Sequence, residues 1–397
     1  MSEKPVLILQ MQRMGDLVLS FPLLAWLAAA NPARPIWVVG EEHFFKPLLT
    51  LSPTATYYSY DCLHDVEWHE FSAVLNLSHR PKAAILAGRA RADILYGPWM
   101  DSEKQLFING DWQLYRASLT QNNRFNRFHW SDLNALDIIG ASKMRGTLWG
   151  SEHNQTPGAK NGRVGLFLGA SEPDKHPDAA FWAQLAALLL KKGYKPVFLG
   201  GKAEEKLGNQ AAHILGSYAL NLVGRFSVNE LASVLTELTL LVTPDTGPMH
   251  IASWVGTPVL NLSMGPVNPW ETGPTAPGNH ILRPALDCAG CWQCIHDKPV
   301  CKAIFTAEKV ATLITRLFST RRESALRNLD GVADGLELLR TGRDAHGLYT
   351  LERLYSSQAH KAGDQNREAL SHFWHTWFGT LFGVYEKEMA ASAAQEL

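Results

Sequence analysis

Apolar positions along the chain come in short runs of four or five, separated by longer stretches with helical spacing. Val6-Leu7-Ile8-Leu9 reads as a buried strand, Met14-Gly15-Asp16 as a turn, and Leu17 to Ala30 as a helix closed by Asn31-Pro32. Ile36 to Val39 and Val74 to Leu77 repeat the strand pattern. Strands alternating with helices predict a parallel sheet covered on both faces. From about Gly146 to Gly162 the rhythm fails in a polar, Gly- and Pro-containing stretch, which reads as an interdomain linker. The pattern then restarts. Val164 to Leu168 is a strand, Ala179 to Lys192 an amphipathic helix ended by Gly193, and Pro196 to Leu199 a strand running into Gly200-Gly201. Val228 to Leu238 (helix), Leu240 to Thr243 (strand), His250 to Val255 (helix) and Val259 to Leu262 (strand) complete it. The expectation is two doubly wound α/β halves in tandem, residues 1–150 and 163–316, with ligands at the carboxyl ends of the strands or in the cleft between the halves.

After about Arg316 the strand signals stop, and residues 317–397 read as a wholly helical extension. Its aromatic seam comprises Phe373, Trp374, Trp377, Phe378, Leu381, Phe382 and Tyr385. The plain reading is a helix packed on its own protein; a dimer contact and docking on a membrane surface are the alternatives.

Composition narrows the function classes. The 397 residues are 46% hydrophobic and 19% charged, which is a globular balance. Lys and Arg number 37 against 38 Asp and Glu, so the formal charge is −1, which argues against a non-specific nucleic-acid binder. Thirteen Trp are more than a core needs, and sugar sites and membrane-facing surfaces both use such rings. No apolar stretch reaches the roughly 18 residues of a membrane span, and the run Val6 to Leu9 is too short for a signal peptide. A cytoplasmic protein is expected.

Five places carry candidate chemistry. Asp16, directly after the first strand and turn, sits at the carboxyl edge of the sheet as a general base or as a helix cap. No G-x-G-x-x-G accompanies it, so a nicotinamide site is unsupported. The loop Gly169 to Pro177 offers the Ser171 hydroxyl and the Lys175 charge to an anion, or is a plain polar loop. Thr243-Pro244-Asp245-Thr246-Gly247-Pro248-Met249-His250 joins a strand to a helix start, where free N–H groups favour an anion. The plain alternative there is simple capping by Asp245 or Thr246. Cys288, Cys291, Cys294 and Cys301 form C-x2-C-x2-C-x6-C, suited to a structural Zn or Fe, or else left reduced or paired in a surface loop. Cys62 stands apart and reads as a small buried hydrophobe. Arg80, Lys82, Arg89 and Arg91 could meet an anionic acceptor, or form a solvated helix face.

In this order and spacing the pieces resemble glycosyltransferase family 9, the ADP-heptose heptosyltransferases of lipopolysaccharide assembly. The likeness runs over about residues 5–316. It takes in the opening segment through Phe21-Pro22-Leu23-Leu24, His129 to Gly140, Gly169 to Lys175, Gly200-Gly201, and Leu222-Val223-Gly224 with Leu231. Asp245 to His250, Gly256-Thr257-Pro258 and Gly265-Pro266 complete it. The resemblance implies a GT-B fold of two Rossmann-like domains, inverting transfer, an acceptor on the N-terminal half and a nucleotide-sugar on the C-terminal half. It implies Asp16 as catalytic base, Lys175 on the donor phosphates with Ser171 in the same loop, and Asp245, Thr246, Gly247, Pro248, Met249 and His250 as the donor signature. Glu204 or Glu205 matches a carboxylate near the nucleoside, and Phe226 a residue packed on the base. No cofactor is implied for transfer. The implied partners are ADP-heptose and a glycan or glycolipid acceptor at the inner membrane face, with a homo-oligomer through the C-terminal helices as a further expectation. The cysteine loop and the extension depart from the minimal enzyme. They leave three alternatives: another donor, a protein acceptor as in the autotransporter heptosyltransferases, or a non-catalytic sugar-nucleotide-binding protein.

Overall fold

Strand β1 (Val6–Leu9) is buried along its whole length, and so lacks the alternation of a half-exposed strand. The computed structural model describes residues 3–62, 68–141, 144, 162–216, 220–319, 322–327, 329–357 and 362–386. The predicted linker, apart from Gly162, and the Cys62 side chain lie outside the described residues. In the N-terminal half β1 pairs in parallel with β2 (Ile36–Gly40) on one side and β5 (Ala73–Asn76) on the other. The sheet order is β3-β2-β1-β5-β7-β8, where β3 is Thr56–Ser59, β7 is Leu95–Met100 and β8 is Leu106–Asn109. The short strands β4 (Glu70–Phe71) and β6 (Arg91–Ala92) pair separately. The helix expected over Leu17 to Ala30 is two helices, Met14–Leu19 and Phe21–Ala30. They meet at Ser20, whose hydroxyl donates to the Asp16 carbonyl at 2.9 Å.

The C-terminal half carries an eight-stranded sheet, β11-β10-β9-β12-β13-β14-β15-β16. β9 is Arg163–Phe167, β10 Lys195–Leu199, β11 Leu220–Asn221, β12 Leu240–Pro244, β13 Val259–Leu262 and β14 His280–Pro284. These six are parallel, and their order reverses between β9 and β12 as in a dinucleotide-binding sheet. The N-terminal sheet reverses between β1 and β5. Loops from both reversal points face each other.

The extension corrects the wholly helical expectation. β15 (Leu336–Arg343) and β16 (Tyr349–Ser356) add antiparallel to β14 and end the sheet. Leu336 to Leu339 are all buried, so no polar alternation marks β15 in the sequence. Glu337 within it is neutralised by Arg283 at 2.6 Å, both side chains being under a tenth exposed. The helix Ala362–Leu381 then returns to the N-terminal half. Phe378 meets Tyr115 edge-on at 5.0 Å and Phe382 meets Trp112 at 5.1 Å, so one side of the aromatic seam is core. Trp374, Trp377 and Leu381 on the same helix are exposed. A buried pair fastens the halves: Arg343 Nη1 lies 2.6 Å from Asp132 Oδ1, and Asp132 Oδ2 also accepts the Tyr349 N–H. No helix among the described residues is long and apolar enough to cross a membrane.

Candidate active site

The chain leaves β1 and enters the Met14–Leu19 helix within five residues, which sets Asp16 in its first turn. Arg13, not Asp16, is the capping residue, and its side chain makes no cap bond. The Asp16 carboxyl is half-buried, and desolvation raises its pKa against the opposing charge of Arg116 and the backbone N–H of Arg13. Arg116 itself is pushed down by burial and held up by Asp16 and Glu271.

Across the cleft, β12 ends at Pro244 and the helix Gly247–Val255 begins behind Thr246, with Pro248 in its first turn and no side-chain cap. Pro248 has no N–H and the Met249 N–H donates to the Thr246 carbonyl at 3.0 Å, so it is the Gly247 N–H that this helix start presents to a ligand. The two loops touch glycine to glycine. A Cβ on Gly15 would lie 3.5 Å from Gly247 Cα, and one on Gly247 would lie 3.1 Å from the Met14 methyl. Asp245 accepts the Thr272 hydroxyl at 2.6 Å, and burial pushes its pKa up to about 6. His250 is buried and held neutral, with its pKa lowered to about 3, and its Nδ1 has no partner among the described residues. Met249 is wholly buried in the core, so it supports the turn from behind.

From β9, the loop carries Ser171 and Lys175, with Lys175 Nζ 3.3 Å from Glu172. Gly265 packs against that loop at φ +76, where a Cβ would stand 2.5 Å from the Asp174 carbonyl oxygen. Asp16, Ser171, Lys175, Asp245, Thr246 and Gly247 thus line one cavity of about 410 Å³, with His250 in its wall. Glu204 and Phe226 lie outside it. The Glu204 carboxylate accepts the Gly201 N–H at 2.7 Å and fills the space a Cβ on Gly169 would need, and Glu205 does the same at Gly224. Phe226, two residues on, is half-buried against the core. Both therefore lie near the carboxyl edge of β9 to β11, beside the cavity. Arg80 and Lys82 are engaged by Glu41 at 2.6 and 2.8 Å and do not line it.

A model of glycosyltransferase family 9 (heptosyltransferase) matches residues 63–298, more than half of the sequence. The chain belongs to glycosyltransferase family 9. It is a glycosyltransferase, and the matched span holds Lys175, the Asp245 to His250 turn and three of the four clustered cysteines. No curated protein sequence matches the chain. Solved structures agree on the GT-B fold. ADP-heptose lipopolysaccharide heptosyltransferase II from Escherichia coli is 18% identical, with a TM-score of 0.58 over 79% of this chain and 98% of that one. The E. coli heptosyltransferase WaaC with ADP is 17% identical, with a TM-score of 0.52 over 79% and 99%. The dodecameric, iron-containing E. coli heptosyltransferase TibC in complex with ADP-D-β-D-heptose is 14% identical, with a TM-score of 0.51 over 80% and 77%.

Several residues that complete this family 9 cleft were not singled out by the sequence. Glu271 is wholly buried and accepts Asn126 Nδ2 at 2.9 Å, Asn123 Nδ2 at 3.1 Å and the Trp292 indole N–H; burial pushes its pKa up to about 7. Trp292 stacks on Trp130 at 5.3 Å, and both line the cavity with His79. Trp292 stands between Cys291 and Cys294, where the cysteine spacing dominates any reading.

The four cysteines are free and half-buried. Burial, and then the neighbouring thiols, push Cys291 up to about 11, a shift that a cation among them would reverse. The donor chemistry suits Zn or Fe. Yet among the described residues no three His, Cys, Asp or Glu side chains close around a point as metal ligands. The metal expectation therefore finds its donors in one loop but not a formed site.

Proposed function

We propose that this protein is an inverting heptosyltransferase that moves heptose from ADP-heptose to a lipopolysaccharide-core glycan. The observation that carries the reading is the meeting of the two reversal-point loops, which sets Asp16 against Asp245-Thr246-Gly247 across a Gly15–Gly247 contact. Asp16 takes the proton of the acceptor hydroxyl as its oxygen bonds to the anomeric carbon from the face opposite the diphosphate. The bond from that carbon to the diphosphate oxygen breaks, and the configuration inverts. Lys175 and the Gly247 N–H stabilise the charge that grows on the leaving diphosphate, with Ser171, Thr246 and His250 beside it. Asp245 orients the donor sugar, Pro248 and Met249 set the turn, and Glu204 and Phe226 flank the nucleoside. Transfer requires no cofactor. A structural Zn or Fe on Cys288, Cys291, Cys294 and Cys301 is part of the proposal, read by metal analysis of the purified protein. So are a cytoplasmic location at the inner membrane face and a homo-oligomer through the exposed Trp374, Trp377 and Leu381.

The test is a thermal shift with ADP, GDP, UDP and ADP-heptose at matched concentration. A ligand at about 100 times its Kd adds about 2.7 kcal/mol, a shift of roughly 5–11 °C for a domain of about 150–250 residues. Selective stabilisation by the adenine ligands is expected. Preference for UDP or GDP rejects the donor, and no response to any of the four rejects the site. The cysteine loop favours one second reading, transfer to a protein acceptor, which an acceptor screen with ADP-heptose separates from the first.

A further inference from the structure

The cysteine loop does more than hold four thiols. It leaves the C-terminal sheet after β14 and crosses to the other half. At Gly290, held at φ +85, a Cβ would lie 3.6 Å from the Asn268 side chain and 3.7 Å from Arg124 Cα. Two residues on, Trp292 lies nearly parallel to Trp130 of the N-terminal half, at 5.3 Å and 16°. The Arg116 guanidinium covers the Trp130 ring at 4.9 Å. The Trp292 N–H donates to Glu271, which Asn123 and Asn126 hold from the N-terminal side. Trp292 is therefore fixed at its polar end by a wholly buried carboxylate while 40% of the residue stays exposed.

An exposed ring is ordinary on a protein surface, but this one is also fixed in place, by a ring stack on one side and a hydrogen bond to a buried carboxylate on the other. Trp292 lines the cavity that holds Asp16. A sugar ring presents polarised C–H groups on one face, and the electron-rich face of an aromatic ring receives them. A pre-fixed indole also offers contact area without the entropy of ordering it on binding.

We propose that Trp292, stacked on Trp130 and anchored by Glu271, is a platform for the acceptor saccharide, and that the cysteine loop serves the reaction by presenting it. The side of the cleft decides acceptor over donor. Trp292 stacks on Trp130 of the N-terminal wall, on the same side as Asp16, and Asn123 and Asn126 of that wall hold its Glu271 anchor, whereas Ser171, Lys175 and Thr246 lie on the C-terminal wall. Glu271 is a positioning residue that acts through the indole. The inference rests on the proposed transfer to a glycan.

The experiment uses the full chain, ADP-heptose and a de-acylated, heptose-free lipopolysaccharide core oligosaccharide as acceptor, with ADP affinity measured alongside. Trp292→Ala is expected to raise the acceptor KM from a few-fold to about tenfold while ADP affinity stays within about twofold. Trp292→Phe keeps a ring face without the N–H and is expected to recover most of that loss, with ADP affinity again unchanged. An unchanged acceptor KM in Trp292→Ala overturns the platform, and so does an equal loss of ADP affinity. Failure of the wild type to transfer, with ADP still bound, instead overturns the acceptor reading and takes the platform with it.

Discussion

Replacing Asp16 by Asn separates the base from the fold. The change is isosteric, so the helix start at Met14 and the Gly15–Gly247 contact have no steric reason to move. A positioned base contributes about 10²–10⁴-fold, or roughly 3–5 kcal/mol of barrier, and kcat should fall by that factor. Stability should move the other way. Burial raises the Asp16 pKa above its value in the unfolded chain, so the folded state holds the proton more tightly. Such a group favours folding at low pH, and that contribution is lost as pH rises through the folded pKa. At neutral pH the ionised Asp16 is thus a burden that Asn removes, and the Tm of Asp16→Asn should equal or exceed that of the wild type. The same raised pKa puts an acid limb on kcat/KM above the ordinary Asp range, and this limb vanishes in the residual rate of the variant. The assays are single-turnover transfer, its pH profile and a melting curve on one preparation. A variant that keeps its Tm and stays within about tenfold of wild-type activity would refute Asp16 as the base. A variant that loses both activity and Tm would refute the claim that the carboxylate is present for chemistry rather than for the helix.

Asp132→Ala should destabilise by about 3–5 kcal/mol in a denaturant titration, because it removes the buried carboxylate that faces the Arg343 charge and strips the Tyr349 N–H of its acceptor. Gly265→Ala should raise the Kd for ADP, read by titration calorimetry, since a Cβ at φ +76 collides with the loop that carries Lys175, whereas Gly15→Ala meets only ordinary contacts and should be tolerated in the fold. His129, His250 and His375 are held neutral with pKa values lowered to about 3, and His79 to about 4, so stability should fall as pH drops below the unfolded value near 6.5. Asp245 and Glu271, raised to about 6 and about 7, act in the opposite sense over the same window, so the Asp245→Asn, Glu271→Gln double variant should lose Tm more steeply below pH 6.5 than the wild type.

The sequence by itself determined the strand-helix rhythm of both halves and the loops that carry the chemistry. Buried parallel strands are short continuous apolar runs, and the turns after β1, β9 and β12 announce themselves by glycine, proline and polar residues at fixed places. Asp16, Ser171, Lys175 and the Asp245 to His250 turn were legible for that reason, each within a few residues of a strand end. The extension was not. β15 is buried on both faces with an ion-paired Glu337 inside it, so it has neither alternation nor an unbroken apolar run. Nor was the other wall of the cleft. Glu271, Arg116, Trp130 and Trp292 come from four separate segments; none stands at a strand end, and Trp130 falls within His129 to Gly140, a segment of the family likeness that does not single it out. Their meaning arises when a carboxylate, a guanidinium and two indoles are drawn together out of water, where each must find a partner in the others. Local sequence encodes the direction of the chain. The company a buried charge or an exposed ring keeps is decided by which segments the two sheets bring face to face.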